Sequence, residues 1–189
     1  MLPWGHAAVG YLLLSGVRRG RGRSMTAAAA VTVLLATQIP DAIDKPLAWT
    51  VSILPNGRSL AHSLPTGLLV LGFLAVILAV ALRRRHLVGV LAVGYLAHPL
   101  ADALHPVLEL KTADLAFLAW PVLPPVEYEG PKNFAGHLLG IDPIAPFFLF
   151  QLVLVVIALV TWHRDGRPGL VVLSRAVRER RAETMDPAD

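Results

Sequence analysis

The sequence predicts an all-α membrane protein: a polytopic helical bundle of about five transmembrane helices, N-terminus outside and C-terminus in the cytoplasm. Three observations carry that expectation. Of 189 residues, 55% are hydrophobic and only 16% are charged, with a mean hydropathy of +0.60, whereas soluble domains carry about 25% charged residues. Apolar segments of membrane-spanning character recur along the chain. Arginines cluster between alternate segments, the pattern of topology signals.

The segments run over 2–17, 24–39, 64–82, 86–104 and 144–162. The last three are long enough to cross about 30 Å of hydrocarbon at roughly 1.5 Å per helical residue. The first two are shorter, and flanking arginines that snorkel would let them span a locally thinned bilayer. Small residues in TAAAAV and GVLAVG permit close helix contacts. Arg18, Arg19, Arg21 and Arg23 follow segment one, Arg83, Arg84 and Arg85 follow segment three, and Arg164, Arg167, Arg175, Arg178, Arg180 and Arg181 follow segment five. With alternating segments these fall on one side, which the positive-inside rule makes cytoplasmic. Residues 1–163 then form the membrane domain, with outer loops 40–63 and 105–143, and 164–189 form a basic cytoplasmic tail. That tail, RAVRERRAETMDPAD at its end, suits anionic lipid. The sequence pI near 10.0 therefore reflects topology rather than specific nucleic-acid binding. Cysteine is absent, so disulfides and thiolate metal sites are excluded.

Against this background the polar residues near the outer ends stand out. His6 opens segment one in GH, Asp41 and Asp44 close segment two in PDAID, Arg58 and His62 precede segment three in GRSLAHS, and His98 and Asp102 lie in segment four in HPLAD. Ionisable groups in membrane segments are costly and usually mark function. His98, Asp102 and His105 are spaced i, i+4 and i+7, one face of a continuous helix. Pro99 removes a backbone donor and biases His98 away from helical geometry, so a bend is expected there. Imidazole nitrogens with carboxylate oxygens suit Zn²⁺, or Mn²⁺ and Fe²⁺ where carboxylates dominate. His6, Asp41, Asp44, His62, His98 and Asp102 are the candidate ligands, and carboxylates that do not bind the ion can orient the imidazoles. Simpler readings exist for each motif alone. PDAIDKP also reads as a helix stop with an Asx turn, and RSLAHS as a helix start capped by Ser59 with Arg58 at the headgroups.

The ordered set GHAAVGYLL, PDAIDKP, GRSLAHS and HPLAD resembles a family of membrane-bound metal-dependent hydrolases described as LexA-binding and inner membrane-associated. The stretch PDAIDKPLAW…LPNGRSLAHSL resembles the archaeal halophile members of that group. The resemblance covers roughly residues 1–110. It implies a multi-pass membrane hydrolase with His6, Asp41, Asp44, Arg58, His62, His98 and Asp102 as its functional positions. More loosely, the order of motifs is similar to zinc-dependent phospholipase C and the single-strand nucleases. HLLGID, with His137 and Asp142, departs from the spacing those enzymes use, which argues for one or two metals rather than a full cluster.

The expected chemistry is hydrolysis of a lipid or lipid-linked phosphoester at the outer membrane face. A divalent metal, Zn²⁺ before Mn²⁺ or Fe²⁺, would acidify a water. Asp41 or Asp44, whichever is not a ligand, would act as base, and Arg58 would steady phosphoryl charge. The apolar stretch 114–126, with Trp120, is expected to lie in the interface as a lid. A transporter would place such groups near the midplane with access from both sides, and a noncatalytic scaffold would use them only to pin helices together.

Overall fold

The computed structural model describes residues 1–128 and 132–170, apart from the side chains of residues 137 and 138. The basic tail beyond residue 170 and the His137 side chain therefore lie outside the described residues. Regular structure among the described residues is entirely helical: α1 (Pro3–Gly20), α2 (Ala27–Ala36), α3 (Ile39–Trp49), α4 (Leu64–Val76), α5 (Val88–Leu108), α6 (Phe134–Leu139) and α7 (Pro146–Arg164). A π-turn (Ile77–Ala81) prolongs α4, and 3-10 turns cover Arg85–Leu87 and Thr112–Ala119.

Local chemistry sets the helix ends. Pro3 starts α1, where its missing N–H costs nothing, and Arg18 and Arg19 face the carbonyl end. The Thr26 side chain caps α2 by accepting from Ala29 N at 3.2 Å. After a break at Thr37–Gln38 the chain continues directly as α3, so PDAID sits inside a helix instead of closing one. Together α2 and α3 supply a 23-residue apolar stretch, Ala27–Trp49. At the start of α4 the cap is Ser63, accepting from Thr66 N at 3.2 Å, and not Ser59, which is buried and bonded to Asn56. Pro99 does not interrupt its helix: α5 passes through Pro99 and Pro106 for 21 residues, about 32 Å of helix.

Among the described residues, four helical stretches are long and apolar enough to cross a membrane: 27–49, 64–81, 85–108 and 146–164. The remaining long helix, α1, is 18 residues, about 27 Å. Arg18 and Arg19 at its end, with His6 and Ser15 on its buried face, lower its hydropathy while α2, α5 and α7 pack around it. Outward faces of α4 (Leu68, Leu69, Phe73) and α7 (Val153, Val156, Leu159) stay exposed. In water such continuous apolar surface would drive association, whereas lipid covers it.

Close packing of α5 on α2 depends on Gly94. A Cβ there would lie 2.7 Å from Ala36 Cβ and 2.8 Å from Val33 O. Gly94→Leu is expected to cost about 1–3 kcal/mol by forcing the helices apart. Gly89→Leu, where a Cβ meets nothing within 4 Å, is the matched control in a thermal melt in detergent. Equal midpoints for the two variants would contradict the packing argument.

The helix ends separate by chemistry. At one end Leu2 N donates to Gln151 Oε1 at 2.7 Å, which explains a glutamine in the apolar helix α7. At the other, Asp165 accepts from Ser15 Oγ at 2.8 Å, Tyr11 Oη at 3.0 Å and Arg19 Nη2 at 2.7 Å. Helices α1 and α7 therefore run parallel. Burial alone would raise the Asp165 pKa, but these donors outweigh it and hold it below the usual carboxylate value. A depressed folded-state pKa gives stability that is present above about pH 4 and is lost as pH falls further. The melting difference between wild type and Asp165→Asn should thus be largest near neutrality and shrink below about pH 4. A difference that grows on acidification would contradict this.

Candidate metal centre

Four elements meet at the end of the bundle that carries Gln151. α1 supplies His6, α3 supplies Asp41 and Asp44, the turn before α4 supplies Arg58 and His62, and α5 supplies His98 and Asp102. The sequence motifs expected to share one face do converge. His6, Asp44, His62, His98 and Asp102 are buried, and Asp41 is half-buried at the wall of a cavity.

Asp44 organises the turn. Its carboxylate, completely buried, accepts from Ser59 N at 2.9 Å, Ala61 N at 2.9 Å and His62 N at 3.3 Å. The same Oδ2 accepts from His62 Nδ1 at 2.8 Å. Asp44 is thus fully occupied in shaping residues 59–62 and orienting one imidazole.

The break between α2 and α3 orients the other imidazole. Pro40 offers no N–H to the helical ladder, and the Thr37 carbonyl beside the break accepts from His98 Nδ1 at 2.5 Å. Both Nδ1 atoms therefore face pure acceptors and carry the ring protons. In the neutral rings both Nε2 atoms are then bare lone pairs, and they point at each other across 3.0 Å. Two lone pairs at that distance require an electrophile between them, a proton or a metal ion.

Carboxylate oxygens surround the same point. Asp41 Oδ1 lies 3.5 Å from His62 Nε2 and 3.7 Å from His98 Nε2, and Asp102 Oδ2 lies 3.7 Å and 3.9 Å from them. The edge of a tetrahedron of nitrogen and oxygen ligands around zinc is about 3.3 Å, so the donor set fits a small divalent cation. Ligand atoms of Asp41, His62 and His98 form one group within 4.8 Å, and those of His6, His98 and Asp102 form another. Because His98 has only Nε2 free, both groups draw on one atom.

His6 stacks on His98 with ring centroids 3.6 Å apart and planes 9° apart. Its Nε2 lies 3.3 Å from Asp102 Oδ1 and 3.2 Å from the Met1 carbonyl, while its buried Nδ1 has no hydrogen-bond partner among the described residues. Asp102 Oδ1 also meets the Met1 amine, and its Oδ2 accepts from Arg58 Nε at 3.0 Å. Arg58 therefore projects toward the site rather than outward to headgroups. Its guanidinium lies over the Tyr128 ring at 5.0 Å and the Phe117 ring at 6.0 Å.

A cavity of about 590 Å³ opens onto this centre, lined in part by Asp41, Lys45, Trp49, Arg58, Asp102 and Tyr128. Lys45 Nζ donates to Asp41 Oδ2 at 2.6 Å. Several of these residues escaped the sequence reading. Lys45 stands i+4 from Asp41, a legible signal, whereas Thr37 acts through its carbonyl and Tyr128 is distant in sequence. The stretch 114–126, expected as an interfacial lid, begins within the 3-10 turn 112–119, whose Phe117 is buried with its ring 6.5 Å from that of His62. His105 is not brought in. It lies 3.2 Å from Glu109 and edge-on to Phe147 at 4.4 Å.

Comparison with known proteins identifies one family. The model of the family described as YdjM inner membrane protein matches residues 1–177. No curated protein and no solved structure matches the chain. The match carries the inner-membrane part of the resemblance and lends nothing to a likeness with phospholipase C or with archaeal members.

Proposed function

We propose that this chain, which belongs to the YdjM inner membrane protein family, is a multi-pass hydrolase with one divalent metal centre facing the extracytoplasmic side. Its substrate in this reading is a phosphoester on a lipid or lipid-linked molecule. Five crossings, with α1 as the first, place the arginine-rich helix ends in the cytoplasm and the histidines outside.

The observation that carries the proposal is the pair of facing Nε2 atoms on His62 and His98, 3.0 Å apart and flanked by two carboxylates. A shared proton needs only two acceptors, whereas four converging donors are the requirement of a metal. His62 and His98, with Asp41 and Asp102, would hold the ion. Asp44 orients His62 from behind, the carboxylate–histidine arrangement common at zinc. When bound, a divalent cation polarises a phosphoryl oxygen and lowers the pKa of a coordinated water toward about 7.

The chain's own residues supply the rest. Lys45 and Arg58 line the cavity, each paired with a carboxylate of the centre, and present ammonium and guanidinium donors to an anionic group. Arg58 presents its planar fork to phosphate oxygens as charge develops on them. Water oxygen bonds to phosphorus while the bond from phosphorus to the departing oxygen breaks. The water's proton passes to Asp41 or Asp102, whichever oxygen is not bound to the ion, and the departing alkoxide takes a proton from solvent.

Purified protein in detergent, supplied with Zn²⁺ or Mn²⁺ and long-chain phosphomonoesters and phosphodiesters, tests the reading. Release of phosphate or alcohol that disappears with chelator and with His98→Ala supports it. No turnover with any such ester in metal-loaded protein would sink it. Arg58→Ala should then lower kcat/KM about 10²–10³-fold with metal content unchanged, and Arg58→Lys should retain part of the rate. An Arg58→Ala enzyme as fast as wild type would remove Arg58 from the mechanism.

A further inference from the structure

Two cavities follow one another along α1 and α7, from Trp4 to the arginine-rich helix ends. An apolar groove of about 400 Å³ lies between α1, α2 and α7, lined by residues that include Trp4, Ala7, Tyr11, Leu34, Leu159 and Trp162. It carries no charged lining residue. Toward the basic end a polar cavity of about 200 Å³ is lined by Arg18, Arg19, Arg23, Arg164 and Asp165 with Ser15, Ser24 and Met25. Tyr11 joins the two. Its ring lines the groove, and its hydroxyl donates to Asp165 Oδ2 at 3.0 Å.

Among the described residues the charges in the polar cavity do not balance. Arg19 Nη2 sits 2.7 Å from Asp165 Oδ1 and neutralises the one carboxylate that lines it. Arg18 spends its Nε on the Ser24 carbonyl at 2.8 Å, a neutral partner. Among the described residues, Arg18, Arg23 and Arg164 thus leave an uncompensated positive field at the mouth of an uncharged groove. Guanidinium groups are the side chains best matched to phosphate oxygens. Trp162 is held at the junction by its own bond from Nε1 to the Pro168 carbonyl at 3.1 Å. An amphipathic aromatic at such a boundary is the usual marker of a headgroup level.

We propose that groove and cavity together bind one anionic glycerophospholipid, an acyl chain against α1 and α7 and the headgroup phosphate among Arg18, Arg23 and Arg164. The juxtaposition of the uncharged groove with the arginine-lined cavity carries this assignment. A second copy of the chain would cover the groove but bring its own basic helix ends beside these arginines, which repel it. The arginine-lined headgroup cavity lies at the other end of the bundle from His98, and the proposal stands independently of the hydrolase reading.

Delipidated full-length protein in detergent, titrated with dioctanoyl phosphatidylglycerol, dioctanoyl phosphatidylcholine or inorganic phosphate and read by native mass spectrometry, decides the matter. Wild type should bind the phosphatidylglycerol saturably and about tenfold or more tightly than the phosphatidylcholine. Arg23→Gln with Arg164→Gln should reduce the anionic lipid to the level of the zwitterionic one, and the double Lys variant should keep most of the preference. Both arginines are exposed, and neither side chain makes the Arg18–Ser24 or Arg19–Asp165 contact, so the double variant should keep the wild-type melting temperature. Ala7→Phe should weaken both lipids by filling the groove. Equal binding of the two lipids by wild type overturns the proposal, as does an unchanged preference in the double Gln variant. Displacement of phosphatidylglycerol by equimolar inorganic phosphate would show a free-anion site and overturn it too.

Discussion

Asp44→Ala is expected to cost about 3–5 kcal/mol of stability, enough to deplete the folded protein in detergent. Three backbone N–H groups, of Ser59, Ala61 and His62, end on this one buried carboxylate together with the His62 ring. Alanine would remove the acceptor that all of those donors share. Asp44→Asn tests the same point more gently. Its amide oxygen can accept, but its NH₂ would face a donor, so it should fall between wild type and alanine. The check is a thermal or denaturant melt of purified protein. A midpoint for Asp44→Ala within a degree or two of wild type would show that residues 59–62 hold their shape without the carboxylate.

His98→Ala should abolish high-affinity metal binding while leaving the bundle folded. Loss of groups that merely orient a ligand typically lowers affinity about 10–100-fold, and removing a ligand itself should exceed that. The fold has reason to survive. Helix α5 is anchored by the packing of Val90, Leu91, Gly94 and Tyr95 a turn or more below, and Tyr95 Oη donates to the Ala61 carbonyl at 2.8 Å. Substitution at 98 frees the Thr37 carbonyl, the face of His6 and the Nε2 of His62, all of them at the metal centre and none in the packing of α5 below it. Equilibrium dialysis against Zn²⁺ at fixed pH measures the affinity, with circular dichroism as the fold control. Wild-type affinity in a folded His98→Ala protein would place the ion elsewhere.

Much of this arrangement was legible in the sequence because membrane chains advertise cost. An Asp or His in an apolar stretch needs a reason, and His6, Asp44, His62, His98 and Asp102 all gather at one place for that reason. The hidden parts follow from how they work. Asp44 and Asp41 are only i, i+3 apart, and nothing in PDAID says which one turns inward to collect backbone N–H groups. That division was decided by residues 59–62, which approach from another segment. Thr37 contributes a carbonyl, a group every residue has. Pro99 does not interrupt the helix: α5 continues through it, and the i, i+4 spacing of His98 and Asp102 survives. The length of the second span was also concealed, because Pro40 looks like a terminator but sits in the first turn of α3, where proline is tolerated.

Metal content tests the central claim most directly. Wild-type protein would be purified in mild detergent without chelator, and bound transition metals would be counted by mass spectrometry before and after incubation with Zn²⁺ or Mn²⁺. The account predicts about one divalent ion per chain, as one shared His98 nitrogen allows. It also predicts loss of that ion from a still-folded protein carrying His62→Ala and His98→Ala. Folded wild type that holds no metal even after incubation would contradict it, and the facing imidazoles would then share a proton in a structural polar cluster.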